Sequence, residues 1–282
     1  MKKVGVVGGG LMGSGIAEVT AKAGVDTVVV EVGQEAADAA RARIGASLER
    51  ALSRGKIDQV ELEAIRGRLR VETDLEALAD RDLVVEAASE REDVKLELFQ
   101  RIGAILEKDE AILTSNTSSI PIVKLGAVSG RADRVMGVHF FNPAPVMQLV
   151  ELIPSLTTSA DTLARLRGFV AEGLGKQPIE ATDRAGFVVN SLLVPYLMSA
   201  IRMYEAGYAS AVDIDKGMVL GCGHPMGPLA LSDLIGLDTI RAIGVSMYEE
   251  FKEPLYSPPP LLDRMVDAGL LGKKSGHGFY PY

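Results

Sequence analysis

The fold of this chain is decided by the stretch Val4-Gly-Val-Val-Gly-Gly-Gly-Leu-Met-Gly-Ser-Gly15, where a short apolar run leads into glycines and then into a helical pattern. Gly8, Gly10 and Gly13 match the spacing G-x-G-x-x-G, which is typical of a strand, a tight turn and a helix that bind a dinucleotide. The pyrophosphate then lies on the N–H groups of the helix N-terminus, which requires no basic side chain. A glycine-rich structural turn is the alternative, because glycine is common here at 30 of 282 residues.

The residues after the glycines favour the dinucleotide interpretation. Gly24 is a predicted helix stop, and Thr27-Val-Val-Val-Glu31 has the pattern of a second buried strand that ends in an acid. Glu31 lies 21 residues after Gly10, where a carboxylate binds the adenosine ribose hydroxyls. Because a carboxylate there also repels a 2′-phosphate, the sequence predicts NAD rather than NADP as the cofactor.

Length and composition set broad limits on the class of protein. We expect about two domains from 282 residues, and a hydrophobic content of 47% is ample for their cores. The net charge of −8 argues against general nucleic-acid affinity. A single cysteine, Cys222, excludes an intrachain disulfide. With no targeting pattern and no apolar run of about 18 residues, we expect a cytoplasmic protein without a membrane span.

Strand and helix patterns alternate through the first part of the chain. Such alternation predicts a Rossmann-type doubly wound α/β sheet, which binds ligands at the carboxyl ends of its strands. The last two long strands are joined too tightly for a crossover helix, so we expect them to pair antiparallel at the sheet edge. Besides the two strands and the helix above, the predicted strands are 69–72, 82–88, 111–115, 135–141, 147–153 and 178–180, and the predicted helices are 35–54, 75–79, 93–107 and 159–173.

After Asp183 the strand patterns disappear, and helices are predicted at 186–206, 210–220, 230–235 and 238–251. We therefore expect a Rossmann domain at residues 1–184 and an all-helical domain at residues 185–282. The segment Ser191–Ile201 is apolar nearly all round, which in a small domain indicates a subunit interface. Ser257–Pro260 is interpreted as a rigid connector to the tail.

His139 is the one histidine of three that falls at the end of a predicted strand beside a polar loop. If the connection folds about Pro145, Glu151 becomes its cross-strand neighbour. A carboxylate there fixes the imidazole tautomer and stabilises the protonated ring, so His139 can exchange a proton with an alcohol. An ordinary hairpin salt bridge is the structural alternative. His224 and His277 are interpreted as structural, and no metal-ligand spacing occurs.

Six segments between the first strand and the tail carry a resemblance to a known family. Together they are similar to the 3-hydroxyacyl-CoA dehydrogenases, which implies NAD-dependent oxidation of an L-3-hydroxyacyl-CoA by a homodimer that joins through its helical domain. The length resembles that of the stand-alone members that act on 3-hydroxybutyryl-CoA, with 3-hydroxyadipyl-CoA as an alternative. The segments are Gly8-x-Gly10-x-x-Gly13, Ser115-Asn-Thr-Ser-Ser119, His139-Phe-Phe-Asn-Pro-Ala-Pro-Val-Met147 with Glu151, Gly186-Phe-Val-Val-Asn190, His224-Pro-Met-Gly-Pro228 and Gly272-Lys-Lys-Ser-Gly-His-Gly-Phe-Tyr280.

The resemblance implies a role for each matching residue. His139 is the implied catalytic acid and base with Glu151 as its orienting partner, while Ser118 and Asn190 hold the reacting oxygen and the thioester carbonyl. The resemblance also implies that Ser47 and Arg54 bind coenzyme A. The cofactor residues are Gly8, Gly10, Leu11, Met12, Gly13, Glu31, Glu90, Lys95, Asn116, Asn142 and Lys274. Two positions depart from the family pattern, since Glu31 stands where aspartate is usual and Gly9 stands where alanine is frequent.

Residues 41–56 carry five basic side chains against one acid, Glu49. Arg43, Ser47, Arg50 and Arg54 follow one another at helical steps and therefore share one face. Guanidinium groups bind phosphates with forked hydrogen bonds, so this strip predicts that Arg50 joins Ser47 and Arg54 at coenzyme A. A solvated basic face is the alternative. The hydroxyl run Thr114–Ser119 has a similar structural alternative as a helix cap or turn.

Two other functions fit parts of the pattern. The beta-hydroxyacid dehydrogenases share this architecture but use a lysine four residues before an asparagine, and here that position is Gly186. That function also gives the His139 and Glu151 pair no purpose. A non-catalytic dinucleotide sensor would have to explain why histidine, glutamate, serine and asparagine all stand at the matching positions.

Overall fold

The computed structural model describes residues 1–282 and divides them into two units, Met1–Asp183 and Arg184–Tyr282. The first unit contains an eight-stranded, mostly parallel sheet with helices between its strands, and the second is helical, so the predicted fold class is confirmed. No helix combines the length and the apolar character that crossing a membrane requires.

The sheet of the first unit has the strand order β3-β2-β1-β4-β5-β6-β7-β8. All neighbours are parallel except β6 and β7, which pair antiparallel as predicted. The order reverses between β1 and β4, where a doubly wound sheet opens a ligand crevice. The strands are β1 Lys3–Val7, β2 Asp26–Val30, β3 Leu69–Glu72, β4 Leu83–Glu86, β5 Ile112–Ser115, β6 Val135–Phe140, β7 Leu149–Pro154 and β8 Gln177–Glu180.

Helices lie between most of these strands, and the second unit consists of helices and loops, apart from isolated bridges near its end. Those of the first unit are α1 Leu11–Lys22, α2 Gln34–Ser53, α3 Gln59–Gly67, α4 Glu92–Ile105, α5 Ile122–Val128 and α6 Ala160–Gly168, which continues as a π-helical turn at Phe169–Gly173. Those of the second unit are α7 Val189–Glu205, α8 Ala211–Cys222, α9 Pro228–Ile235, α10 Leu237–Phe251 and α11 Pro260–Asp267.

The structure corrects three sequence-based expectations about these elements. The pair β6–β7 is not the sheet edge, because β8 pairs outside β7. Helices α3 and α5 were not predicted. Ser257–Pro260 is not only a connector, since Pro260 is the first residue of α11, where the missing proline N–H costs no helical hydrogen bond.

The two missed helices of the first unit differ in how their N-termini are capped. Asp58 accepts a hydrogen bond from the Glu61 N–H, and the Glu61 side chain accepts one from the Asp58 N–H, so α3 begins with a local capping box. At α5 the cap comes from Asp183, whose carboxylate accepts from the N–H groups of Ile122 and Val123 at 2.9 Å each. The first cap is readable from four consecutive residues, whereas the second depends on the tertiary fold.

In the second unit, two buried carboxylates hold the C-terminal tail. Asp233 accepts hydrogen bonds from the N–H groups of Phe279 and Tyr280 at 3.0 and 2.9 Å. Asp215 accepts from the Tyr280 hydroxyl at 2.8 Å and also caps the N-terminus of α9. Burial and the nearby Asp233 carboxylate raise the pKa of Tyr282 to about 12. The tail is therefore an ordered part of this unit.

Candidate functional site

A cavity of about 740 Å³ lies at the switch point of the sheet. The loop between β1 and α1 contributes Gly8, Gly10, Leu11 and Met12 to its lining, and Glu31 contributes from the end of β2. These five residues belong to the predicted cofactor set. Other lining residues were not predicted as cofactor residues, among them Thr73, Ala87, Ala88, Ser89, Val94 and Arg101.

Each glycine of the loop is required for a different physical reason. Gly8 has a φ of +89°, which L side chains rarely adopt. A Cβ atom on Gly13 would lie 1.8 Å from the Gly8 carbonyl oxygen, so only glycine lets α1 approach β1. A Cβ on Gly10 would meet no protein atom within 4 Å, and the space before it is therefore available to a ligand. This cradle fits the pyrophosphate of a dinucleotide.

Glu31 and Gly9, the two departures from the family pattern, are in direct contact. The Gly9 N–H donates a hydrogen bond to Glu31 Oε1 at 2.5 Å. A Cβ on Gly9 would lie 2.4 Å from the Cβ of Ala40 on α2 and 3.2 Å from Glu31 Oε1. The longer acid therefore reaches the glycine loop, and the lack of a side chain at position 9 leaves room for that contact.

His139 and Glu151 face each other across the antiparallel strands β6 and β7. His139 Nδ1 lies 2.7 Å from Glu151 Oε2, and both residues are buried. When Glu151 is ionised, its carboxylate can only accept, so Nδ1 is then the donor and the lone pair of the neutral ring is on Nε2. The Phe141 ring packs edge-on against the imidazole, with centroids 4.7 Å apart. The pair has the geometry of an oriented general acid or base.

The polar run after β5 meets the ends of β4 and β6. Asn116 Oδ1 accepts a hydrogen bond from the Phe140 N–H at 2.8 Å, next to His139. Glu90 accepts from the Ser118 N–H at 3.1 Å, from the Ser119 hydroxyl at 2.9 Å and from the Thr117 hydroxyl. The run thus forms a turn fixed by Glu90, which agrees with its structural alternative and also positions Ser118.

Burial acts to raise the pKa of the Glu90 carboxyl, but the Lys95 ammonium and the hydrogen bonds from residues 117–119 outweigh it, so that pKa lies below its usual range. Lys95 itself is only 1% exposed. Its Nζ lies 2.6 Å from Glu86 Oε1 and 3.3 Å from Glu90 Oε2. The structure therefore places Lys95 behind the carboxylates rather than in the lining of the cavity.

Glu86 is a functional candidate that sequence reasoning missed. It is the last residue of β4 and is fully buried, and it accepts from Lys95, from the Ser115 hydroxyl at 2.6 Å and from the Ala88 N–H at 2.6 Å. The sequence could have indicated this residue, because Glu86 is an acid at the end of a buried strand. Glu31 likewise directly follows the buried strand β2. The buried partner of Glu86, nine residues away on a helix, gave no local signal.

The basic strip on α2 is only partly as predicted. The Arg43 Nη1 donates to the Gly9 carbonyl oxygen at 2.5 Å, so this guanidinium is directed at the glycine loop rather than along the strip. Ser47 and Arg50 both lie near the carboxylate of Glu18 on α1, where each acts to lower the pKa of that carboxyl. Burial raises the pKa of Glu18 despite these contacts. The remaining strip consists of Ser47, Arg50 and Arg54.

The other predicted site residues are placed as follows. Asn142 is exposed in the connection between β6 and β7. Asn190 lies half-buried in the first turn of α7, and Lys274 forms an ion pair with Asp238 at 2.5 Å, both within the second unit. No group of three or more His, Cys, Asp or Glu side chains is arranged to hold a metal ion.

The same unit contains a cradle for a dinucleotide and a buried pair suited to proton transfer. This combination defines a dehydrogenase that uses a nicotinamide dinucleotide. The sequence pattern described as 3-hydroxyacyl-CoA dehydrogenase, NAD binding domain, matches residues 3–184, and the pattern of the C-terminal domain of the same enzymes matches residues 186–282. The chain belongs to the 3-hydroxyacyl-CoA dehydrogenase family and is an NAD-dependent oxidoreductase. The resemblance and the cofactor inferred from the sequence are thereby confirmed.

Relatives match over the whole length of the chain. The 3-hydroxybutyryl-CoA dehydrogenase of Mycobacterium tuberculosis is 55% identical over 282 residues, which cover 100% of this chain and 99% of the relative. The crystal structure of M. tuberculosis FadB2 superimposes with a TM-score of 0.99 at 55% identity and covers the same shares. That of (S)-3-hydroxybutyryl-CoA dehydrogenase PaaH1 from Ralstonia eutropha gives 0.94 at 44% identity, covering 100% of this chain and 99% of the other.

Proposed function

We propose that the protein interconverts (S)-3-hydroxybutyryl-CoA and acetoacetyl-CoA, with His139 and Glu151 transferring the proton. The observation that carries the proton-transfer assignment is the buried 2.7 Å contact between His139 Nδ1 and Glu151 Oε2. Support for the four-carbon acyl group comes from the names of the full-length relatives at 55% and 44% identity. A homodimer is part of the proposal, and exposed apolar side chains of α7 such as Leu192 support it.

In the proposed mechanism, bound NAD supplies the hydride acceptor for the carbon that bears the hydroxyl. His139 Nε2 takes the hydroxyl proton during oxidation and returns it during reduction, while Glu151 stabilises the imidazolium that forms in between. Ser118 holds the reacting oxygen and Asn190 holds the thioester carbonyl. Glu90 fixes the backbone of Ser118, so its carboxylate acts through that residue.

The acyl-chain assignment is tested by comparing kcat/KM among thioesters of different chain length that are reduced with NADH. Acetoacetyl-CoA is expected to give the highest value, and 3-ketoadipyl-CoA is the comparison for a dicarboxylic acyl group. A higher kcat/KM for a long-chain or dicarboxylic thioester would contradict the four-carbon substrate. It would not contradict the assignment as a 3-hydroxyacyl-CoA dehydrogenase.

Glu31→Ala is expected to raise the KM for NADH by on the order of 10-fold. It should also lower the ratio of kcat/KM for NADH to kcat/KM for NADPH. A carboxylate at this position binds the ribose hydroxyls and repels a 2′-phosphate. The attraction and the repulsion are each about as strong as a charge-assisted hydrogen bond. Glu31→Gln is the matched control, because it keeps a hydrogen-bond acceptor and removes only the charge. Equal kcat/KM values for NADH and NADPH in the unmodified protein would contradict the assignment.

Arg54→Glu is expected to raise the KM for acetoacetyl-CoA by on the order of 10-fold and to leave the KM for NADH nearly unchanged, because a phosphate contact is replaced by repulsion. A truncated pantetheine thioester lacks the nucleotide phosphates, so its KM should change little. Arg165→Glu on α6 is the matched control, because it makes the same change in net charge at a position away from Ser47, Arg50 and Arg54. An equal loss with the full and the truncated thioester would show that Arg54 supports the fold rather than coenzyme A.

A further inference from the structure

The peptide groups of Gly9 are held from both sides. Its N–H donates to Glu31 Oε1 at 2.5 Å, and its carbonyl oxygen accepts from Arg43 Nη1 at 2.5 Å. The Ser14 hydroxyl donates to the same carbonyl at 2.7 Å. Gly9 therefore joins the end of β2, through Glu31, to the middle of α2, through Arg43.

Helix α2 also limits the space at Gly9. The 2.4 Å that would separate a Cβ on Gly9 from the Cβ of Ala40 is shorter than any real contact between such atoms. Ala40 and Arg43 are three residues apart and share a helix face, so one face of α2 supplies both the wall and the hydrogen-bond donor. The position of the loop consequently depends on the position of this helix.

The Gly9 carbonyl and the Gly10 N–H belong to one planar peptide unit, and in a trans peptide they point in opposite directions. A guanidinium on the carbonyl thus fixes the orientation of the Gly10 N–H and polarises it as a donor. Gly10 is the N-cap of α1, where backbone donors bind phosphate, and a Cβ on it would meet no protein atom within 4 Å. Arg43 can therefore influence the pyrophosphate site through the backbone without touching the cofactor.

We infer that Arg43 is a positioning residue for the NAD pyrophosphate loop, which it holds together with Glu31 through the Gly9 peptide, and that it is not a ligand of coenzyme A. The inference rests on the proposed roles of the glycine loop and Glu31 in binding NAD. The inference divides the four residues on this face of α2 between two ligands. Arg43 positions the loop that binds the dinucleotide, whereas Ser47, Arg50 and Arg54 bind the thioester.

Arg43→Met keeps the length of the side chain and removes its donors. We expect it to raise the NADH dissociation constant, measured by fluorescence titration, by on the order of 10-fold, the usual worth of a charged hydrogen bond. The kcat at saturating NADH should be retained, and the ratio of KM values for acetoacetyl-CoA and its pantetheine analogue should not change. Arg43→Lys should recover part of the affinity. Arg50→Met is the contrast on the same face and should change that KM ratio while sparing NADH affinity.

A second pair of variants tests the contact with α2 independently. Gly9→Ala should weaken NADH binding through its overlap with Ala40, and Gly9→Ala combined with Ala40→Gly should recover part of the loss. The inference is overturned if Arg43→Met leaves NADH affinity unchanged and alters only the KM ratio between the two thioesters, or if the double variant recovers nothing. Failure of the unmodified protein to bind NADH would instead refute the proposed function, so the two failures are distinguishable.

Discussion

His139→Gln is expected to lower kcat by on the order of 10²- to 10⁴-fold with the fold intact, which is the usual worth of a positioned general acid or base. Glutamine retains an amide that can donate to Glu151, but it cannot take up a proton near neutral pH. The buried contact with Glu151 and the packing of Phe141 fix where the ring lies, so the loss should fall on kcat rather than on substrate KM. Steady-state kinetics with NADH and acetoacetyl-CoA measures both kcat and the substrate KM.

Glu151→Gln is the companion variant of the His139 experiment. It should lower kcat less than His139→Gln does, and it should move the pH dependence of turnover, because the imidazolium loses the charge that stabilises it. The circular dichroism of both variants should match that of the unmodified protein. If His139→Gln kept most of its kcat, another residue would have to transfer the proton, and the pair would revert to an ordinary hairpin salt bridge.

Gly13→Ala is expected to destabilise the first unit by at least about 3 kcal/mol and to abolish NADH binding, because the new Cβ would overlap the Gly8 carbonyl oxygen at 1.8 Å. Neither partner is the end of a flexible side chain, so α1 would have to move away from β1. Denaturant unfolding measures the free energy of unfolding, and fluorescence titration measures the affinity for NADH.

Gly10→Ala is the matched control on the same loop. No protein atom lies near the added Cβ, so the free energy of unfolding should stay within about 1 kcal/mol of the unmodified value. The NADH dissociation constant should still rise by about 10- to 100-fold, because the methyl group enters the space that the pyrophosphate approaches. Unchanged NADH affinity in Gly10→Ala would show that the cofactor does not approach the loop at this point.

The parts of the fold that sequence could predict are those governed by local patterns. Alternation of buried strands and helices gave the sheet, and the short connection after His139 gave the antiparallel pair with Glu151. The capping box at Asp58 was also local and was overlooked. By contrast, the cap of α5 by Asp183 arises only when residues 60 apart meet, and no local pattern encodes it.

The candidate site shows the same division between local and tertiary information. Helical spacing places Arg43 on the face of Ser47 and Arg54, but spacing does not reveal what lies opposite each residue. The contact of Arg43 with Gly9 depends on how α2 crosses the glycine loop. The burial of Lys95 likewise depends on Glu86, which lies on a different element. Residue type and spacing thus indicated the chemistry, whereas the partner of each charged group required the three-dimensional structure.

The proposal that this dehydrogenase acts on a coenzyme A thioester is tested most directly by its rate of NADH oxidation with acetoacetyl-CoA and with free acetoacetate. We predict turnover of the thioester to (S)-3-hydroxybutyryl-CoA, with one NADH oxidised per product formed, and little turnover of the free acid at the same concentration. The Arg54→Glu variant should lose selectivity for the thioester. Equal or faster reduction of free acetoacetate by the unmodified protein would contradict the assignment and favour a dehydrogenase of free hydroxy acids.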